Sequence, residues 1–260
     1  MKLDKQRFEV RLAADENDIA AAQRLRYRVF VEEMGATADE ADHDLRLEKD
    51  RFDAVFDHLI LVDKSIEQPL DRVIGAYRLL PGSRAAKGSG FYGASEYDLS
   101  KIEAWPNETV ELGRSCVDAD YRGGVAMHLL WNALAEYVLS RDIEILFGVA
   151  SFPGTDTAAI ADALSYLHHK HLAPEDLRVR TREHEYVSMN LKSAEQVDGK
   201  VALRQIPNLI KAYLRLGGFV GDGAYIDRNF NTVDVCLLMD TKRMTAKYRD
   251  YYTSKSQAVT

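Results

Sequence analysis

Cysteine is scarce in this sequence, and long apolar runs are missing. Its 260 residues include two cysteines, Cys116 and Cys236, each inside an apolar run typical of a strand. We therefore expect buried, reduced thiols rather than a disulfide. No segment has the long uncharged apolar stretch that a membrane-spanning helix needs. The N-terminal stretch MKLDKQRFEV carries charges where a signal peptide has its apolar segment, which predicts a cytoplasmic protein.

An excess of basic charge and a metal-binding frame are also absent. The formal net charge of -7 at pH 7 argues against nucleic acid as a partner, because phosphate binding requires a basic surface. No metal site is predicted, since His168, His169 and His171 cluster without cysteine or carboxylate ligands at suitable spacing. Residues 170–215 are locally basic, with nine Lys and Arg against six Asp and Glu. This excess predicts a docking face for an acidic carrier protein or for anionic lipid headgroups. The alternative is an ordinary solvated surface with mixed charges.

Strand-like and helix-like segments alternate along the chain. The hydrophobic share of 46% and the charged share of 29% are ordinary for a globular protein. A chain of this length builds one substantial core, and the alternation is typical of an α/β domain. We therefore predict a single domain over residues 1–260, with a C-terminal elaboration from about residue 155 to residue 260.

Four motifs with charged residues occur in a fixed order in the N-terminal half. They are LRYRVF, EKDRFDAVFDHLILVD, GAYRLL and ELGRS, and their order is more informative than any single motif. The residues of interest in them are Arg26, Phe30, Asp50, Asp53, Arg78, Glu111 and Arg114. Charged side chains in apolar surroundings are typical of a functional site or of a buried ion-pair network.

This ordered set resembles the signature of acyl-homoserine-lactone synthases and related acyl-carrier-protein-dependent N-acyltransferases of the GNAT superfamily. The matches run from about residue 20 to residue 126. The later segment LRQIPNLIKAYLRLGGFVGDGAYIDRNFNTVDVCLLMD looks like the corresponding part of bacterial L-ornithine N-alpha-acyltransferases and of hemolysin-like acyltransferases. The resemblance implies a GNAT-like three-layer α/β domain with a central mixed sheet.

The same resemblance implies a reaction. It is the transfer of an acyl chain, often 3-hydroxylated, from acyl carrier protein to the alpha-amine of L-ornithine, which gives lyso-ornithine lipid. The phosphopantetheine thioester of acyl carrier protein would be a co-substrate, with no permanently bound cofactor. A one-chain product implies only transient contact with the inner membrane. The open alternatives are another acceptor such as glutamine or lysine, acyl-homoserine-lactone synthesis, and a non-catalytic module that binds acyl carriers or senses lipid.

Glu111 is the candidate catalytic base, acting directly or through a water molecule. Amide synthesis from a thioester needs a neutral amine, and a free alpha-amine with a pKa of roughly 8 is largely protonated at neutral pH. The alternative is a structural ion pair with Arg114 or with another arginine. Arg114 is the second residue that we expect in the catalytic site. In a regular strand these two side chains point to opposite faces, so a shared site requires a bulge, which we predict at Gly113.

Five matched residues are expected in or beside the acceptor pocket: Arg26, Phe30, Asp50, Asp53 and Arg78. Ornithine carries one carboxylate and two ammonium groups. Two carboxylates of the protein would hold its side-chain ammonium, while an arginine holds its carboxylate. The alternative is an ion-pair network that only locks the N-terminal helix to the sheet.

The segment Tyr-Arg-Gly-Gly at residues 121–124 lies between a predicted strand and a predicted helix. Exposed N–H groups at such a position favour a phosphate. The segment resembles the GNAT pyrophosphate loop, so Arg122, Gly123 and Gly124 are expected to bind the phosphopantetheine of the acyl donor. Val125 and Met127 stand where the superfamily has small residues. This departure weakens the match to coenzyme A and leaves room for a single carrier-bound phosphate.

Overall fold

The computed structural model describes residues 7–122 and 125–243, and these residues form nine strands and eight α-helices. The strands are β1 (Phe8–Leu12), β2 (Asp57–Asp63), β3 (Val73–Pro81), β4 (Tyr97–Asp98), β5 (Thr109–Val117), β6 (Ile145–Pro153), β7 (Arg180–Thr181), β8 (Phe219–Asp227) and β9 (Thr232–Asp240). The helices are α1 (Glu16–Arg26), α2 (Glu40–Leu45), α3 (Gly82–Ala85), α4 (Ser100–Glu103), α5 (Val125–Leu139), α6 (Ala161–His171), α7 (Gly199–Gln205) and α8 (Asn208–Arg215). A π-helical segment, Tyr27–Glu33, continues α1.

The strands form one mixed sheet in the order β1-β2-β3-β5-β6-β9-β8-β7-β4. β1, β2, β3 and β5 are antiparallel neighbours, β5 and β6 are parallel, and β6, β9 and β8 are again antiparallel. β6 is therefore central, as its apolar sequence suggests, because a strand buried on both faces needs few polar residues. The predicted mixed sheet is confirmed.

β5 and β6 separate after a short contact. Their parallel pairing ends where Glu111 stands beside Phe147, whereas β6 pairs with β9 over residues 145–153. The two backbones are close at this point, because a Cβ at Gly148 would lie 2.1 Å from the carbonyl oxygen of Leu112. Only glycine permits that approach. The strands thus form a fork that opens beyond Glu111.

A β-bulge interrupts β5 next to the fork. Arg114 and Ser115 both stand opposite the single residue Tyr77 of β3. Arg114 adopts a φ of 49°, the left-handed conformation that bulges use. The predicted bulge is present, with its left-handed residue one position after Gly113. It turns Arg114 toward the face of the sheet that carries Glu111.

Helices cover both faces of the sheet. On one face, Leu25 of α1 packs against Ile60 of β2 and Val73 of β3. On the other face, a larger apolar cluster includes Leu130 of α5 and Tyr213 of α8. Each fully buried aliphatic side chain contributes about 1.5–3 kcal/mol to folding. The predicted three-layer α/β domain is confirmed.

The C-terminal hairpin β8–β9 completes the centre of the sheet. β9 pairs with β6 from Ile145 opposite Asp240 to Pro153 opposite Thr232. The segment after about residue 155 therefore supplies inner strands as well as peripheral structure. Within the described parts of the chain, no helix is both long and apolar enough to cross a membrane.

Candidate active site

The fork between β5 and β6 opens into a cavity of about 440 Å³. Its walls come from the π-helical segment, the stretch before β4, the strands of the fork and the β8–β9 hairpin. Charged side chains of the wall include Arg78, Glu96, Glu111, Arg114, Asp227 and Asp234. A cleft of this size, with convergent polar groups in apolar surroundings, is typical of a small-molecule site.

Glu111 lies at the fork and lines the cavity, with only 2% of its surface exposed. Its two carboxylate oxygens accept the backbone N–H groups of Tyr92 at 2.7 Å and Gly93 at 2.6 Å. Burial raises the pKa of Glu111 to about 7, although these hydrogen bonds and the charges of Arg78 and Arg114 act in the opposite direction. A carboxyl with a pKa near neutrality is suited to general base catalysis.

Three arginines and three carboxylates form a closed network beside the cavity. The members of this arginine–carboxylate network are Arg26, Arg78, Arg114, Glu48, Asp50 and Asp53. Each carboxylate is bonded to two of the arginines, and each arginine to two of the carboxylates. Burial acts against the charged carboxylates, but the arginines outweigh it and lower the pKa of all three.

Arg26 is the most enclosed member of the network, with no exposed surface. It donates to both side-chain oxygens of Asp53, at 2.6 and 3.1 Å, and to the side chain and carbonyl oxygen of Glu48. Arg78 donates to Asp50 at 2.6 Å and to Asp53 at 2.8 Å. The network thereby joins α1 to β3 through the segment between α2 and β2.

Arg114 closes the network at the cavity wall. It donates to Glu48 at 3.1 Å and to Asp50 at 3.2 Å. Its guanidinium carbon also lies 4.9 Å from the ring centre of Tyr92 and 4.4 Å from that of Phe230. Such cation–π contacts hold the guanidinium in one orientation.

The predicted acceptor-pocket residues divide into two groups. Phe30 and Arg78 line the cavity, whereas among the described residues of its wall Arg26, Asp50 and Asp53 do not appear. The two aspartates are already bonded to arginines, which is the arrangement of the alternative ion-pair network. Direct contact of these five residues with an acceptor stays a prediction.

Glu48 was missed by the sequence interpretation. It links Arg26 to Arg114 and is buried, although it begins the second motif, EKDRFD, together with the two aspartates. The feature that could have indicated Glu48 is its position as a third carboxylate beside Asp50 and Asp53 in that motif. Without the fold, nothing indicated that three separate arginines meet there.

Arg122 lies at the rim of the cavity. It donates to both side-chain oxygens of Glu33, one at 2.6 Å, and to the carbonyl oxygen of Val117 at 2.9 Å. Its partners Gly123 and Gly124 lie outside the described residues. The phosphopantetheine-binding role of these three residues therefore stays a prediction.

Further carboxyls in the cavity wall were also missed, and Glu96 and Asp234 are the most buried of them. They are 4% and 3% exposed, respectively. Burial, with the charges of Asp234, Asp227 and Glu111, raises the pKa of Glu96 to about 9. Burial, with the charge of Asp227, raises the pKa of Asp234 to about 6. The sequence did hint at Asp234, because this aspartate interrupts the apolar run VDVCLLM. Glu96 lies in a Gly- and Ser-rich stretch, where nothing in the sequence indicates a buried carboxyl.

We expect Glu96→Gln to stabilise the protein relative to wild type increasingly as the pH rises from about 5 to about 9. The folded-state pKa of about 9 exceeds the unfolded value of roughly 4.3, so the folded protein holds a proton that the unfolded chain has lost. The stability of the wild-type protein therefore falls as the pH rises through this interval, on the order of 1 kcal/mol per pH unit. Glutamine does not titrate, so the variant lacks this loss. Urea unfolding at several pH values measures the difference. Equal pH dependence in Glu96→Gln and in the exposed control Glu103→Gln would contradict the expectation.

Comparison with known proteins identifies the fold. Residues 25–132 match the family described as acetyltransferase (GNAT) domain. Among solved structures, FeeM, an N-acyl amino acid synthase from uncultured soil microbes, superposes with a TM-score of 0.52 at 12% identity, covering 92% of this chain and 95% of that one. BjaI, a CoA-dependent acyl-homoserine lactone synthase, gives a TM-score of 0.52 at 14% identity, covering 96% and 88%. These likenesses confirm the GNAT-like fold.

Curated relatives are much more similar in sequence. The L-ornithine N(alpha)-acyltransferase of Rhodobacter capsulatus is 57% identical, with 95% of each chain covered. The enzyme of the same name from Brucella abortus is 42% identical, covering 96% of this chain and 90% of its own. The predicted family is confirmed. This chain is an N-acyltransferase and belongs to the L-ornithine N(alpha)-acyltransferase family of the GNAT superfamily.

Proposed function

We propose that the protein transfers an acyl chain, 3-hydroxylated in the favoured case, from acyl carrier protein to the alpha-amine of L-ornithine, giving lyso-ornithine lipid. The observation that carries the proposal is Glu111, a buried carboxyl with a pKa of about 7 that lines the cavity at the fork. The L-ornithine N(alpha)-acyltransferase of Rhodobacter capsulatus, which is 57% identical, supports ornithine as the acceptor.

In the proposed reaction the alpha-amine nitrogen attacks the thioester carbonyl carbon. As the C–N bond forms and the C–S bond breaks, one proton of the nitrogen passes to the departing sulfur, which leaves as the phosphopantetheine thiol. Before the attack, Glu111 takes one proton from the alpha-ammonium, which it later releases to solvent. The amine pKa of roughly 8 exceeds that of Glu111 by about one unit, so this proton transfer costs only about 1.4 kcal/mol. Such a small cost is compatible with direct transfer and with transfer through one water molecule.

Attack occurs directly, without an acyl-enzyme intermediate. Cys116 lines the cavity and Cys236 is also buried, and both are free thiols. Burial raises the pKa of Cys116 to about 12 and raises that of Cys236 still further above its usual range. Neither forms the thiolate that nucleophilic catalysis needs at neutral pH.

Acyl carrier protein is the proposed donor and partner. Acyl carrier protein is acidic, and its phosphopantetheine carries a phosphate. The locally basic residues 170–215 and Arg122 supply the complementary positive charge. The product carries one acyl chain, so we propose a cytoplasmic enzyme that contacts the inner membrane surface transiently.

The test is an acceptor competition with purified protein. It is given 3-hydroxyacyl chains on acyl carrier protein or on coenzyme A, with equal amounts of L-ornithine, L-lysine and L-glutamine, and the products are analysed by mass spectrometry. We expect alpha-acylated ornithine as the main product, formed faster from the carrier protein. Acylated lysine, glutamine or a lactone in its place would overturn the acceptor, and faster reaction from coenzyme A would overturn the donor.

A further inference from the structure

A second group of carboxyls lines the cavity on the side of the β8–β9 hairpin. It consists of Glu96, Asp227 and Asp234, and we call it the acidic subsite. Asp234 pairs with Tyr225 of β8 and with Ser151 of β6, and both Asp234 and Ser151 line the cavity. The subsite therefore shares the cavity with Glu111.

The acidic subsite differs from the arginine–carboxylate network in its partners. Within the described residues, no lysine or arginine forms an ion pair with any of its three members, whereas each carboxylate of the network has two arginines. Oε2 of Glu96 and Oδ1 of Asp234 are buried and have no hydrogen-bond partner in this part of the chain. A buried polar oxygen without a partner is costly whether its carboxyl is protonated or ionised, so the unmatched oxygens point to a ligand that donates hydrogen bonds to them. Three carboxyls together favour a cationic donor such as an ammonium.

One short segment ties the subsite to the catalytic base. The backbone N–H of Gly93 donates to Glu111, and the backbone N–H of Glu96 donates to the carbonyl oxygen of Gly93 at 3.0 Å. The adjacent Tyr97 hydroxyl donates to the carbonyl oxygen of Asp234 at 3.0 Å. A ligand in the cavity thus meets Glu111 and the acidic subsite at positions fixed relative to each other.

We propose that Glu96 and Asp234, assisted by the charge of Asp227, bind the side-chain ammonium of the ornithine acceptor. The inference rests on the proposed function and adds to it the residues that select a diamine. An ammonium held as a cation has no lone pair for attack, so the acidic subsite also directs acylation to the alpha-amine near Glu111. In the free protein the raised pKa keeps Glu96 protonated at neutral pH, and a bound ammonium favours its ionised form, so binding of the ligand releases that proton.

The experiment compares L-ornithine with L-norvaline, which has the same carbon chain without the terminal amine. Wild-type protein is expected to prefer ornithine by at least about 30-fold in kcat/KM, as for a buried charge pair. In Glu96→Gln and in Asp234→Asn, kcat/KM for ornithine should fall by about that factor, mainly through KM. The value for norvaline should change by less than about threefold, because norvaline makes no ion pair. The exposed Glu183→Gln is the matched control, and both acceptors should react with it as with wild type.

The possible outcomes separate this inference from the proposed function. If wild type acylates ornithine and both subsite variants keep its preference over norvaline, the inference is overturned and the proposed function stands. If a variant loses activity equally on the two acceptors, its role is structural, which also overturns the inference. Wild type that acylates neither acceptor overturns the proposed function itself. Thermal unfolding of each variant checks the fold. The amide substitutions keep the size of the side chain and remove a buried ionisable group, so folded protein is expected.

Discussion

Glu111→Gln is expected to lower kcat by about 10²- to 10⁴-fold, the range that loss of a general base produces. Glutamine has the size of glutamate, and its oxygen still accepts the backbone N–H of Tyr92 or Gly93. It has no group that takes the amine proton, so the reaction is left with the small fraction of amine that is already neutral. Steady-state rates with saturating acyl donor and ornithine measure the loss.

The pH dependence distinguishes a base from a structural residue at position 111. Glu111 acts only when ionised, so wild-type kcat should rise with pH and level off above a pKa of about 7. In Glu111→Gln this limb should be replaced by a rise that continues toward the amine pKa of roughly 8, whereas the exposed control Glu103→Gln should keep the wild-type limb. If Glu111 only held the segment around Gly93 in position, the variant would have a lower Tm and an unchanged pH profile, which would contradict the assignment.

The fold was largely predictable because its signals are local. The apolar runs of HLILVD and ILFGVAS are typical of strands and form β2 and β6, and PNLIKAYLRLGG is typical of a helix and contains α8. The bulge was also predictable, since two charged residues at a spacing of three in one strand need one to share a face. Its left-handed residue is Arg114 rather than the glycine, because contacts with Glu48, Asp50 and two aromatic rings fix that side chain.

The contents of the site were less predictable because they depend on contacts between distant residues. The second motif indicated Asp50 and Asp53 as partners for a cation, and the fold supplies that cation from within the chain as Arg78 and Arg26. Strand alternation indicates which face Asp234 occupies but not that Glu96, from a loop-like stretch, lies in the same cavity. The sequence therefore indicated which kinds of charged residue form the site. It did not indicate which carboxyl pairs with which arginine.

Arg26→Met is expected to destabilise the protein by about 3–5 kcal/mol, the cost of removing one member of a buried ion-pair network. Arg26 has no exposed surface, and without it Glu48 and Asp53 each keep a single arginine. Methionine fills much of the volume, so the loss reflects unpaired charge rather than a cavity. With a total stability of about 5–15 kcal/mol for a typical protein, the variant is expected to unfold at a much lower urea concentration.

The matched control is Arg46→Met, which removes an arginine whose side chain is 51% exposed and pairs with Glu32 on the surface. Surface pairs contribute little, so this variant should unfold close to wild type. The pH supplies a second readout: the arginines lower the pKa of Glu48, Asp50 and Asp53, so wild-type stability is present above the unfolded value of roughly 4 and lost as pH falls below it. Arg26→Met should weaken that acid dependence, because Glu48 and Asp53 lose part of the charge that keeps them ionised. Equal destabilisation by the two substitutions, with an unchanged acid limb, would mean that the arginine–carboxylate network contributes no more to folding than a surface ion pair.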